Sequence, residues 1–223
     1  MPNAVKSVGI GVTGHRPNGL KGADWELLRV RIRKILSLMF EIAKGERTGP
    51  LKDIRGPVPA IHIISPLAEG ADQIVAEEGL STGFELHCPL PFKQEEYERD
   101  FSTPKSLEEF RCLLARAALV TVLGGKGETE AERDAFYTSA GREVLRRSDV
   151  LIAVWDGNPA RGAGGTAQIV QEAKQAMMSV VWILAQTPHR IKILVPQDPR
   201  KKRRNNSLVE EWIRWLAAEE KTQ

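Results

Sequence analysis

The sequence predicts an α/β protein built on a doubly wound, mainly parallel sheet of about seven strands with helices on both faces. Three observations carry this. Short apolar runs rich in β-branched residues recur along the chain. Helical patterns separate almost all of them. Glycine and polar turn residues gather just after the runs, where an open α/β sheet binds its ligands.

Val5 to Val12 reads as the first strand, with Thr13-Gly14-His15-Arg16-Pro17 at its end. Asp24 is an N-cap candidate for a helix whose apolar positions run from Trp25 to Phe40 at helical spacing. Gly45 to Pro59 reads as a loop. Ala60 to Ser65 is the second strand, followed by Pro66-Leu67-Ala68-Glu69-Gly70-Ala71-Asp72 and a helix to about Leu80. Phe84 to Cys88 is the third strand and leads into Pro89-Leu90-Pro91-Phe92. Glu95 to Phe101 is a short charged helical turn, and Leu107 to Ala117 an amphipathic helix. The acids Glu95, Glu96, Glu98 and Asp100 read as a solvated face, with Tyr97 and Phe101 packing beneath it. Ala118 to Leu123 is the fourth strand, and Glu130 to Arg147 a helix.

The organising unit follows. Asp149 to Trp155 is a strand buried on both faces, Asp156-Gly157-Asn158-Pro159 is turn chemistry, and Gly162-Ala163-Gly164-Gly165-Thr166 opens a helix. Such a turn exposes backbone N–H groups at the positive end of a helix dipole, and glycine lets an anion approach them. The same turn can also serve helix–strand packing alone. Val180 to Ala185 and Ile191 to Val195 are the last two strands, and an amphipathic helix from Ser207 to about 219 closes the chain. There is no internal repeat and no second hydrophobic core, so residues 1–223 read as one domain.

Composition narrows the class. Hydrophobic content of 42% and charged content of 27% suit a globular protein with a core of its own. A net charge of +3 does not imply wholesale coating of nucleic acid. The local exception, Arg200 to Arg204, reads as a solvated basic loop. Cys88 and Cys112 form neither a disulfide framework nor a metal pattern, and no metal site or cofactor is expected. No apolar run reaches membrane-spanning length, and no secretory signal pattern is present; a reducing cytoplasm is the simple reading. Walker-type, nucleophile-elbow and zincin motifs are all missing.

The candidate site residues share the carboxyl edge of the sheet. Gly14, His15 and Arg16 follow the first strand; Ser65, Glu69 and Asp72 the second; Asp156, Gly162, Gly164, Gly165 and Thr166 the fifth. Arg16 has the planar fork for a phosphate or carboxylate, or for a surface ion pair. His15 can donate to a ligand, act as acid or base, or cap a turn. Glu69, Asp72 and Asp156 are the candidate catalytic acids. Each also has a structural role open to it: the first two as helix N-terminal acids, the third in an Asx turn. Trp155 and Phe92 can flank a base or pack in the core.

Four of these stretches together resemble the SLOG superfamily: Thr13 to Arg16, Ser65 to Asp72, Leu90 to Phe92 with Glu96-Tyr97 and Asp100-Phe101, and Ser148 to Gly157 with Gly164-Gly165-Thr166. That group includes the Lonely Guy cytokinin-activating enzymes, the DNA-processing protein A fold and the N-terminal domains of TRPM channels. The match looks closest to bacterial proteins related to the TRPM domain. The resemblance implies a Rossmann-like domain that binds a nucleotide or nucleotide-derived small molecule, ADP-ribose-like ligands included. Carried over by motif, Gly164, Gly165 and Thr166 would contact phosphate, with Gly14, Arg16 and Glu69 lining the pocket. Lonely Guy enzymes carry P-G-G-x-G-T-x-x-E, and here the residue three after Thr166 is Ile169. The catalytic glutamate is therefore missing, and the expectation is a binder or sensor. The alternative is an N-glycosidic-bond hydrolase or transferase using Glu69 or Asp72 from another loop. Nucleic acid is the weaker partner reading, and since related folds often dimerise, self-association is a further expectation.

Overall fold

In a computed structural model, the structure describes residues 7–44, 59–159, 164–188, 190–196 and 206–221. The loop expected at Gly45 to Pro59, except its last residue, and the basic run Arg200 to Arg204 lie outside these.

Seven strands form one sheet: β1 (Val8–Gly14), β2 (Ile61–Ile64), β3 (Glu85–Leu90), β4 (Leu119–Val122), β5 (Val150–Trp155), β6 (Ser179–Leu184) and β7 (Ile191–Leu194). Their order is β4-β3-β2-β1-β5-β6-β7. All neighbours are parallel except β6 and β7, which are antiparallel. The exception is set by chain length. Each parallel pair needs a crossover of a dozen or more residues, and the few residues between β6 and β7 allow only a reversal.

The helices are α1 (Trp25–Ala43), α2 (Ala71–Thr82), α3 (Gln94–Tyr97), α4 (Pro104–Ala115), α5 (Glu130–Arg147), α6 (Thr166–Gln175) and α7 (Ser207–Glu220). Asp24 caps α1 by accepting the N–H of Leu27 at 2.9 Å. Strand alternation divides the core. Ile10, Val12, Ile152 and Val154 point to the face covered by α1, α2, α4 and α7. Leu151, Ala153 and Ile64 point to the other, against Val144 of α5 and Ile169 and Val170 of α6. Gly9 and Gly11 make room there, since a Cβ on Gly9 would lie 2.2 Å from the Arg147 carbonyl oxygen. Asp149 precedes β5 and ties it to β1, its carboxylate accepting the Gly9 N–H at 2.9 Å.

Element boundaries moved by a few residues. β1 starts later than expected and runs on through Thr13 and Gly14. β3 extends to Leu90, and α6 starts at Thr166 with Gly165 as its N-cap. A short 3-10 turn at Pro17–Leu20 was not anticipated.

The closing helix α7 packs on α1 and β7. Its anchor is Trp212, fully buried, whose indole N–H donates to the Met39 carbonyl at 2.8 Å. Trp212→Ala removes the largest fully buried side chain, and such truncations cost about 3–5 kcal/mol. Urea unfolding of the full chain should show a loss of this size; a loss well below it would mean that α7 adds little to the core.

Candidate functional site

β1 is the switch point of the sheet. The chain runs outward from β1 through β2, β3 and β4 and returns to β5 on the other side of β1, so the connections that follow β1 and β5 diverge beyond their carboxyl ends. A cavity of about 570 Å³ opens there. Its wall comes from the end of β1, the start of α2, one face of α5 and the start of α6.

Two loops meet beneath it. The Ala71 N–H donates to the His15 carbonyl at 3.2 Å, and the His15 N–H donates to the Val154 carbonyl at 3.0 Å. Gly70, at φ +105°, lies so close that a Cβ would sit 2.7 Å from the His15 oxygen. Leu67 holds φ +58° without being glycine; its side chain is fully buried and its N–H donates to Ser65 Oγ at 3.1 Å.

Arg16 projects from the end of β1 into the cavity wall. One guanidinium nitrogen donates to the backbone oxygen of Asp100 at 3.1 Å. Among the described residues no carboxylate lies within ion-pair distance of it. Burial opposes its charge, but the nearby Tyr97, Tyr137, Asp100 and Asp72 outweigh burial and raise its pKa. The Asp100 carboxylate is engaged elsewhere: Arg133 Nη2 lies 2.6 Å from it, and the Tyr137 hydroxyl donates to its other oxygen. Arg133 also pairs with Glu96 at 2.7 Å and stacks over Phe92 at 4.4 Å.

Asp72, the second residue of α2, is 4% exposed and reaches the cavity. Its Oδ1 has no hydrogen-bond partner among the described residues. Burial pushes its pKa up to about 7, against the opposing pull of Arg16 and the N–H groups of Ala68 and Gly14. His15 Nε2 lies 2.9 Å from Asp156 Oδ1 and 3.2 Å from the Asp156 backbone nitrogen. The shorter contact requires the proton on Nε2, so the imidazole donates to the carboxylate. Burial would raise the Asp156 pKa, but bonds from the Asn158 backbone, His15 and the Asn158 side chain hold it near 2. The Asx turn is thus formed and serves the histidine as well.

On the opposite wall no side chain among the described residues caps the N-terminus of α6 at Gly165. Gly164 holds φ +69° against Tyr137, and its N–H donates to Gln168 Oε1 at 2.9 Å.

The structure therefore brings Gly14, His15, Arg16, Asp72, Asp156, Gly164, Gly165 and Thr166 to one cavity. Ser65 and Glu69 are not in its wall. Ser65 is fully buried and supports the turn below. Glu69 accepts the N–H of Ser102 at 3.2 Å and its hydroxyl at 2.7 Å. Burial raises its pKa, and the bonds from Ser106 and Ser102 with the charge of Arg16 more than reverse that. In this arrangement Glu69 clamps the loop to Ser102 from outside the cavity wall. Gly162 lies outside the described residues. Phe92 is fully buried among aromatic rings, whereas Trp155 lines the cavity and packs on Trp182 at 4.9 Å between ring centroids. Asp100 was expected on a solvated face and instead stands in the cavity wall with Tyr97, Asp134 and Tyr137. The signal for the α5 residues was Asp134, Tyr137 and Gly141 at i, i+3 and i+7, one helical stripe.

No protein-family model matches the chain, and no curated protein does. Among solved structures, DNA processing protein A from Streptococcus pneumoniae superposes with a TM-score of 0.53 at 14% identity, over 96% of this chain and 57% of that one. The likeness is one of fold: the Rossmann-like α/β architecture expected from the sequence is shared with that neighbour. This chain spans little more than half the length of that neighbour. A structural-genomics target designated TM1055 gives a TM-score of 0.46 at 12% identity, over 81% of this chain and 76% of that one.

The raised pKa of Asp72 has a measurable sign. The folded chain holds this proton more tightly than the unfolded chain does, so the stability it confers is complete below pH 4 and is lost as pH rises to about 7. At about 1.4 kcal/mol per unit, the change is on the order of a few kcal/mol. Urea unfolding across pH should show wild type losing stability relative to Asp72→Asn up to about pH 7, with a plateau above. A pH-independent difference would mean that Asp72 titrates normally.

Proposed function

We propose that the cavity binds a phosphorylated, nucleotide-derived small molecule, a nucleoside phosphate or an ADP-ribose-like compound. The observation that carries this is Arg16: a guanidinium in the cavity wall, charged at every working pH, and held by a backbone oxygen instead of a carboxylate. Its charge is left for an anion. The uncapped N-terminus of α6 lines the same cavity and suits a phosphate group. The volume of about 570 Å³ falls within the usual range for small-molecule sites. Trp155 and Tyr137 supply aromatic surface for a base or ribose.

Calorimetry with AMP and ADP-ribose tests the reading. Losing a charge-assisted bond costs about 1.5–3 kcal/mol, so Arg16→Ala should weaken binding roughly ten- to a hundredfold. Arg16→Lys should weaken it as well, because lysine lacks the fork. Folded Gly165→Val should bind poorly, since a branched side chain at the N-cap obstructs the phosphate. Wild-type affinity in all three variants would remove the site assignment.

One observation favours an enzymatic reading of the same cavity. Asp72 has a pKa near 7 and reaches the cavity, which suits a general acid in N-glycosidic cleavage. Against it stand the capture of Glu69 by Ser102 and the engagement of Asp156 with His15 and Asn158. We therefore expect nucleotide binding with little or no release of free base, followed by chromatography over a panel of nucleoside monophosphates. Robust turnover that Asp72→Asn abolishes would make the protein a hydrolase. The neighbouring structure's DNA-processing name enters only as fold likeness, and the charge balance of this chain gives it no added weight.

A further inference from the structure

A second cluster lies at the other end of the sheet. In the β2–β3 register His62 pairs with Glu85 and Ile64 pairs with His87. Side chains at alternate positions share a face, so His62, Glu85 and His87 point the same way. The two imidazoles stack with centroids 4.2 Å apart and an interplanar angle of 22°. Glu85 Oε2 stands 3.2 Å from His62 Nδ1 and 3.9 Å from His87 Nε2. The three donor atoms all lie within 4.8 Å of one another. His62 Nδ1 is buried and has no hydrogen-bond partner among the described residues, although Glu85 Oε2 stands beside it.

Two imidazole nitrogens and a carboxylate oxygen converging on one point form a ligand set for a transition cation. We propose that His62, Glu85 and His87 bind a divalent cation of the zinc class. Bonds of about 2.0–2.2 Å place tetrahedral ligand atoms roughly 3.4 Å apart, so closure needs shifts on the order of 1 Å. Glu85 is 57% exposed and can supply most of that movement. The nitrogen donors favour zinc, nickel or copper over magnesium or calcium, which take oxygen ligands. Three protein ligands leave a fourth position for water or an exchangeable ligand. Arg147, whose charge acts on His87, is itself paired with Glu143 at 2.5 Å and donates to Thr121 Oγ1 at 3.2 Å. The sequence gives no metal-ligand spacing because the histidines stand on separate strands and meet only through the sheet register.

The test is titration of the metal-free full chain with cobalt(II), followed by visible absorption, and with zinc by calorimetry. The expected result is one equivalent bound, with the bands of tetrahedral cobalt. The His62→Ala/His87→Ala pair should abolish it. Glu85→Gln should weaken it about tenfold or more, since loss of even an outer partner of a metal ligand costs 10–100-fold. Glu85 is exposed, so that variant keeps the test decisive if the histidine pair fails to fold. His15→Ala should retain the full equivalent. Absence of uptake, uptake indifferent to Glu85→Gln, or loss of the equivalent in His15→Ala would each overturn the proposal, the last by moving the ion to the His15–Asp156 pair.

Discussion

The backbone of His15 makes two bonds on which the cavity depends. Its N–H donates to Val154 at the end of β5, and its carbonyl accepts from Ala71 at the start of α2. The end of the central strand is thus tied to the end of β5 on one side and to the start of α2 on the other. The ties demand close approach, and small residues provide it. A Cβ on Gly14 would lie 2.4 Å from that of Ala71, and Gly70 adopts a backbone conformation that L side chains rarely take. With the backbone fixed, the Cα–Cβ directions of His15 and Arg16 are fixed with it, and both side chains line the cavity. Asp72 follows one residue after Ala71 and is carried into the same wall.

The fold was legible because it rests on short-range pattern. Buried parallel strands read as continuous apolar runs, helices as a 3.6-residue stripe, and both survive in a single sequence. Polar loading of the strand ends placed His15, Arg16, Asp72 and Asp156 on the right edge. What it could not show is which acids already had partners. Glu69 has the chemistry of a catalytic acid, and nothing near it in sequence reveals that Ser102 takes both its oxygens. Asp100 shows the converse. It sits in a run of charges that looks solvated, yet Arg133 and Tyr137 from α5 fold over it and bring it into the wall. Both cases concern contacts more than thirty residues apart. The proximity of His62 and His87 is hidden in the same way, since it exists only in the register of two strands.

Asp72 and Asp156 behave oppositely for one reason. Asp156 gathers hydrogen bonds from Asn158 and His15, and its charge is held down near pH 2. Asp72 is deeper, has an oxygen with no partner, and its proton is retained to about pH 7. Solvation by the protein separates them, not their distance from Arg16 alone. Near neutral pH the cavity thus offers one fixed anion already occupied by His15, and one carboxyl able to donate as well as accept.

The charge of the cavity is set from one step further out. Arg16 and Asp100 are close enough to influence each other, and a direct salt bridge between them would quench the positive charge that an anion needs. Arg133 prevents this by taking the Asp100 carboxylate at 2.6 Å, while stacking on Phe92 and pairing with Glu96 fixes its own position. Tyr137 holds the second Asp100 oxygen. Arg16 is then left with the Asp100 backbone oxygen, a neutral acceptor that orients the guanidinium without cancelling it. The acid that most resembles a partner for Arg16 is the one the fold occupies elsewhere. Arg133 therefore acts as a positioning residue: it keeps a charge it never touches out of a salt bridge with Asp100, as the proposed phosphate site requires.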